Sequence, residues 1–135
     1  MNGQCRITRK AVEEIVAHAR ETRPAECCGL LLGSGTTIAE AVRTRNTSDD
    51  PNRFVIDPRA HIEARREARG RGLDVLGFYH SHPHSRPEPS ITDLREASYP
   101  DHLYLIVSPT TDSAEIRLFR LAGGNFLEVL FLTVQ

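Results

Sequence analysis

Tyr79-His80-Ser81-His82-Pro83-His84-Ser85-Arg86-Pro87-Glu88-Pro89-Ser90-Ile91-Thr92-Asp93 joins an apolar run to a helix start through a proline-rich loop. Val75 to His82 is apolar and aromatic, as a buried strand is. Pro83 to Pro89 cannot continue it, because proline donates nothing to a strand ladder. Ser90 then predicts a helix cap, with a short helix over Ile91 to Ser98. Strand side chains alternate faces, so His80 and His82 share one face and Ser81 takes the other. Asp93 falls in the first helical turn, eleven positions after His82. A helix following the loop can swing that carboxylate back over the strand end.

Upstream, Thr8 predicts the cap of a helix running to about Thr22, with Val12, Ile15, Val16 and Ala19 on one apolar face. Cys27 to Leu32 is a short apolar run. Gly33-Ser34-Gly35 is a turn, and Thr36 to Arg45 returns as the second strand of a hairpin. Asn46 to Asn52 reads as a polar loop and Arg53 to Ile56 as a short strand. Asp57-Pro58 opens a second helix to about Arg69, with the proline at the first helical position. Downstream, Leu103 to Val107, Ala114 to Leu121 and Phe126 to Val134 read as strands. Helices alternate with strands through the middle and strands follow one another at the end, which predicts an α/β fold with a mixed sheet covered by helices.

The chain has 135 residues, room for one domain over 1–135. Its 17 basic and 18 acidic residues give a net charge of −1, against a nucleic-acid binder that relies on a broad basic surface. Phe126 to Val134, the most apolar stretch, is short of the ~20 residues of a membrane-spanning helix. Met1 to Lys10 has no apolar signal core, so the expected location is the cytoplasm. Cys5, Cys27 and Cys28 make an odd count with two neighbours in sequence, which is no disulfide framework; small buried thiols are expected.

Two imidazoles on one strand face can chelate one metal ion, and Asp93 completes a three-ligand set. Zinc held by three protein ligands keeps a fourth position for water, which it activates near neutral pH. Each residue also has a structural reading: the histidines as satisfied polar groups at a strand end, and Ser90-x-x-Asp93 as a capping pair. The spacing taken together favours the metal site. A base deaminase would show His-x-Glu with a later Pro-Cys-x-x-Cys, and all three cysteines here precede the histidine pair. The zincin pattern His-Glu-x-x-His is also missing.

His-x-His, ten residues, then Asp, with Pro83 after the second histidine and Ser90 three before the aspartate, resembles the motif of the JAMM (MPN-plus) metalloproteases. That family also carries a glutamate before a short apolar strand, and Glu26 in Glu26-Cys27-Cys28-Gly29-Leu30-Leu31-Leu32-Gly33 fits it. Asn46, Arg53-Phe54, Asp57-Pro58, Gly77-Phe78-Tyr79 and Ser108 extend the likeness, which spans about Arg6 to Pro109. The resemblance implies a three-layer α/β sandwich related to the cytidine deaminases. It implies one Zn2+ on His80, His82 and Asp93, Glu26 as general base, and Ser90 as hydrogen-bond donor to the oxyanion.

Family members cut amide bonds after the C-terminal Gly-Gly of ubiquitin-like proteins. The short stretch 46–52 and the lack of insertion after Asp93 resemble compact bacterial members that process ubiquitin-like sulfur carriers, so such a carrier is the expected partner. Arg53 to Ile56 is the expected sheet edge for its tail. The alternatives are a non-catalytic MPN-like scaffold, which usually lacks ligands that this chain keeps, and a zinc hydrolase of small peptide or amino-acid conjugates. Monomer and homodimer both remain open. His84 is expected on a solvated loop, and His18, His61 and His102 at the surface. Cys28, two residues after Glu26, is read as a buried thiol that could border the pocket. Arg65, Arg66, Arg69 and Arg71 form a basic cluster, read as a solvated face.

Overall fold

A computed structural model of the protein describes residues 4–109 and 113–135. The elements run β1 (Cys5–Thr8), α1 (Arg9–Thr22), β2 (Cys28–Ser34), β3 (Thr37–Thr44), α2 (Pro58–Gly70), β4 (Asp74–Ser81), α3 (Ile91–Glu96), β5 (Leu103–Ser108), β6 (Glu115–Ala122), β7 (Asn125–Val129) and β8 (Phe131–Val134). All eight strands join one mixed sheet in the order β7-β6-β5-β4-β2-β3-β1-β8. β7 and β8 end up at opposite ends of that order, yet Leu130 alone separates them. Eight strands at about 4.8 Å spacing would span roughly 34 Å if flat, so the sheet must curl until its two ends meet. The expected single strand over Phe126 to Val134 is therefore two strands, broken at Leu130. β1 gave no sequence signal, because four residues are too few to show a period.

The two sheet faces carry two cores. Thr8 Oγ1 accepts from the Ala11 backbone N–H and caps α1. α1 lays Ala11, Ile15 and Ala19 onto a face built from Ile7, Leu31, Ile38, Tyr79, Leu105 and Val107. On the other face, α2 covers Leu30, Leu32, Val75 and Phe78, with Ala68 at the contact. Asp57 caps α2 and Pro58 opens it, as the sequence predicts. Alternation along β4 thus sends Tyr79 under α1, and Phe78 and His80 toward the α2 side. The result is helix, sheet and helix: a three-layer α/β arrangement.

The expected strand over Arg53 to Ile56 does not form. Only Ile56 bridges, to Asn46. The physical reason is the Asn46 side chain. Its amide donates to the Glu26 carbonyl (3.1 Å) and the Arg53 carbonyl (2.9 Å), while its oxygen accepts from the backbone N–H of Ser48 (3.0 Å) and Val55 (2.9 Å). The Arg53 carbonyl and the Val55 N–H are thereby held inside the loop by a side chain and not by a neighbouring strand.

No helix among the described residues is long and apolar enough to cross a membrane. The three cysteines are free and buried.

Candidate active site

β4 delivers His80 within the strand and His82 just past its end. Register pairs His80 with Ile106 of β5 and Cys28 of β2, so its position is set from both sides. The His82 backbone N–H donates to the Val107 carbonyl at 2.9 Å, which extends the ladder by one bond. Ser81, pointing away as alternation requires, accepts the Cys27 N–H on its hydroxyl at 2.8 Å. The Ser81 N–H in turn donates to the Cys27 carbonyl at 3.1 Å. This pair of bonds holds the start of β2 against the end of β4. The Glu26 N–H donates to the Pro51 carbonyl at 3.0 Å, which fixes Glu26 from the loop side.

α3 supplies Asp93. Ser90 Oγ accepts from the Asp93 N–H at 2.9 Å, and the Ser90 N–H donates to Asp93 Oδ2 at 2.9 Å, a reciprocal capping box. Asp93 Oδ1 lies 3.2 Å from His80 Nε2, Oδ2 lies 3.0 Å from His82 Nε2, and the two imidazole nitrogens are 3.2 Å apart. One ligand atom from each residue thus falls within 4.8 Å of the others, and the group could hold a metal ion.

The donor chemistry fits a divalent cation. His82 Nδ1 lies 2.9 Å from the Arg86 carbonyl, an acceptor only, so Nδ1 carries the proton and Nε2 keeps its lone pair. Burial pulls the His80 pKa down and keeps the ring neutral, as a ligand must be. Burial opposes charge on Asp93 too, but the close approach of the His80 and His82 rings, with the Ser90 N–H, outweighs it and holds the carboxyl well below the ordinary range. His82 is lowered by burial, yet the Asp93 carboxylate and the Arg86 carbonyl bring its pKa out above the usual value.

Glu26 is 8 % exposed and makes no ion pair among the described residues. Burial raises its pKa to about 7; His82 opposes the shift, and Asp93 and Asp50 add to it. It lines a polar pocket of about 300 Å³ with His82, His84, Ser90 and Asp93. A second, apolar pocket of about 480 Å³ opens on the other side of His80 and Asp93.

A profile of the prokaryotic homologs of the JAB domain matches residues 8–122. The chain belongs to this JAB family. The desampylase of Haloferax volcanii is 40% identical over 106 residues, covering 73% of this chain and 76% of that protein. The CysO-cysteine peptidase of Mycobacterium tuberculosis is 31% identical over 120 residues, covering 87% and 82%. The solution structure of a Desulfitobacterium hafniense protein superposes with a TM-score of 0.88 at 32% identity, covering 98% of this chain and 94% of that one.

Within this JAB domain, the five residues singled out from sequence converge on one place. Three further residues support them. Phe54 stacks on the His80 ring, centroids 4.2 Å apart and planes 17° from parallel. Arg53 is bonded to Glu96 of α3, which straps the 46–56 loop across the site. Asn46 anchors both that loop and Glu26, and the sequence marked it only as one of the residues that extend the family likeness. The expectation that His18, His61 and His102 sit free at the surface is corrected. His18 Nδ1 meets the Tyr79 hydroxyl at 2.7 Å, His61 Nε2 accepts from Arg65 at 2.8 Å, and His102 stacks on Phe78. His61 and Arg65 stand four apart on α2, a spacing that makes helical neighbours, whereas Tyr79 and Phe78 lie too far from His18 and His102 in sequence for spacing to show. The basic cluster is likewise divided, with Arg71 paired to Glu40 and Glu67, and Arg65 lying over the Tyr99 ring. His84 is exposed, as expected. The Cys28 thiol lies 3.4 Å from Thr44 Oγ1 and lines neither pocket.

Proposed function

We propose that this chain is a zinc-dependent peptidase that hydrolyses the amide bond after the C-terminal Gly-Gly of a ubiquitin-like protein, a sulfur carrier in our reading. The observation that carries the proposal is the convergence of His80 Nε2, His82 Nε2 and the Asp93 carboxylate beside a buried, unpaired Glu26. The relatives support the substrate class, since one is named a desampylase and another a CysO-cysteine peptidase.

His80, His82 and Asp93 would hold the zinc. Bound there, zinc supplies Lewis acidity and makes water a nucleophile at neutral pH. Glu26 takes the proton from the attacking water and hands it to the leaving amine. Its carboxylate is suited to both steps, because burial sets its pKa near 7, where it exchanges a proton at little cost in either direction. Ser90 donates a hydrogen bond from its hydroxyl to the carbonyl oxygen as negative charge develops there. Its oxygen accepts from the Asp93 N–H while its proton remains available, so cap and donor roles coexist on one hydroxyl. Asn46 and the Cys27–Ser81 pair keep Glu26 in place through the reaction.

The test is zinc content of the tag-free protein, followed by cleavage of a Gly-Gly sulfur-carrier conjugate with and without chelator. About one zinc per chain and chelator-sensitive release of the carrier are expected. A reconstituted protein that binds no zinc, or a zinc-loaded one that leaves every such conjugate intact, contradicts the proposal.

A further inference from the structure

The polar and apolar pockets share three lining residues, Phe54, Asp93 and Glu96, and so meet at the candidate metal centre. They differ in chemistry. The apolar pocket, about 480 Å³, is walled by Phe54, Val55, Phe78, Tyr99, Tyr104 and Phe119, and its lining holds no lysine or arginine. Its carboxylates, Asp93 and Glu96, stand at the shared boundary. The volume lies within the roughly 300–1,000 Å³ of small-ligand sites. The polar pocket holds Glu26, Ser90 and His82.

This step rests on the Gly-Gly peptidase reading above. A bond cleaved at the boundary leaves the two parts of the substrate in opposite pockets. A Gly-Gly end has no side chains, gains nothing from aromatic walls, and is gripped by hydrogen bonds to its backbone. It suits the polar pocket. The aromatic pocket then faces the released side. We propose that it is a leaving-group pocket, which takes a large apolar side chain on the residue whose amine is set free. In the reaction the carbonyl C–N bond breaks, water gives its hydroxyl to the carbonyl carbon, and its proton passes through Glu26 to the departing amine. The released product is an apolar amino acid or a segment that begins with one.

Val55 stands at the rim and is 45% exposed, so Val55→Trp narrows the pocket without disturbing the core. The substrates are a ubiquitin-fold sulfur carrier ending in Gly-Gly and extended by one residue, Phe, Leu, Cys or Ser. For the zinc-loaded wild type, kcat/KM is expected to be at least tenfold higher for Phe or Leu than for Ser. In Val55→Trp that ratio should collapse. Equal rates for Phe and Ser, or an unchanged ratio in Val55→Trp, overturn the proposal. A direct binding measurement separates it from the Gly-Gly reading. Phenylalaninamide and serinamide are titrated into the 15N-labelled protein, followed at the amides of Phe78, Tyr99 and Tyr104. If no conjugate is cut, the Gly-Gly reading fails, and selective shifts with phenylalaninamide still sustain the apolar pocket. No shifts with phenylalaninamide overturn it.

Discussion

Ser90 and Asp93 hold each other: the Ser90 N–H grips Asp93 Oδ2 at 2.9 Å, and that same oxygen meets His82 Nε2 at 3.0 Å. A helix cap is therefore also the support of a candidate metal ligand. Without it, the Asp93 carboxylate would be free to rotate and would spend entropy on every binding event.

Ser90 variants separate its two roles. Ser90→Ala removes the acceptor for the Asp93 N–H and is expected to cost about 1 kcal/mol of stability. Zinc affinity should fall roughly tenfold to hundredfold, the usual effect of losing a ligand's support. Ser90→Asn keeps a capping oxygen, so it should restore stability and zinc affinity while turnover stays low. Competition titration with a chromogenic chelator, alongside kcat, reads both. Full turnover in Ser90→Asn would remove the hydroxyl from the chemistry.

Glu26→Gln keeps size and hydrogen bonding but cannot carry the proton. Zinc content should be unchanged and kcat reduced about 10²- to 10⁴-fold. The zinc-free protein offers an independent check through stability. The Glu26 pKa rises from 4.5 to about 7 on folding, so the fold favours the protonated form. Below pH 4.5 the carboxyl is protonated folded or unfolded and costs nothing. Between pH 4.5 and 7 the penalty on the folded protein grows, and above 7 it levels off at about 3 kcal/mol. Glu26→Gln should therefore be the more stable protein at pH 8, and the advantage should vanish near pH 4.5. Urea unfolding at the two pH values measures it; equal stability at pH 8 would contradict the buried, uncompensated carboxylate.

The metal ligands were legible because their spacing follows directly from backbone geometry. Alternation put His80 and His82 on one face, and a Ser cap put Asp93 in the first turn. Arg53 to Ile56 misled for an equally local reason: its β-branched and aromatic residues suit a strand, but the Asn46 side chain holds the Arg53 carbonyl and the Val55 N–H inside the loop. Nothing in a linear pattern shows that an asparagine will do this. The same limit hid the Phe54 stack on His80, since a contact between a loop and a strand has no period. It also hid β1, whose partners β3 and β8 come from the middle and the end of the chain.

Ligand removal should abolish zinc binding and activity together. His82→Ala and Asp93→Ala are each expected to lose both. At zinc one hundred times its dissociation constant, the wild type should gain about 2.7 kcal/mol of stability. Neither variant should show that gain in a thermal melt. A variant that still gains stability with zinc would point to ligands outside the three.

Gly29→Ala tests the link between core and site. Gly29 lies opposite Tyr79 in the β2–β4 register, and a Cβ there would fall 2.2 Å from Tyr79 Cε2 and 2.4 Å from the Val42 carbonyl oxygen. Neither neighbour can give way easily: Tyr79 is fully buried, and Val42 is sheet backbone. Burial raises the Tyr79 pKa, so its hydroxyl keeps its proton and donates to His18 Nδ1 at 2.7 Å. Burial also lowers the His18 pKa, which keeps that ring neutral and able to accept. A methyl group on residue 29 must push the ring away from this bond, and a loss of about 3 kcal/mol or more is expected. Tyr79→Phe leaves the ring in place and removes only the hydrogen bond, so it should cost about 1 kcal/mol. Well below its lowered melting temperature, Tyr79→Phe should keep zinc and turnover, because the Cys27–Ser81 bonds that seat Glu26 do not depend on the phenol. Chemical denaturation of both variants decides the matter. A Gly29→Ala protein as stable as the wild type would mean that the β2–β4 packing yields, and that the seat of Glu26 is softer than its hydrogen bonds imply.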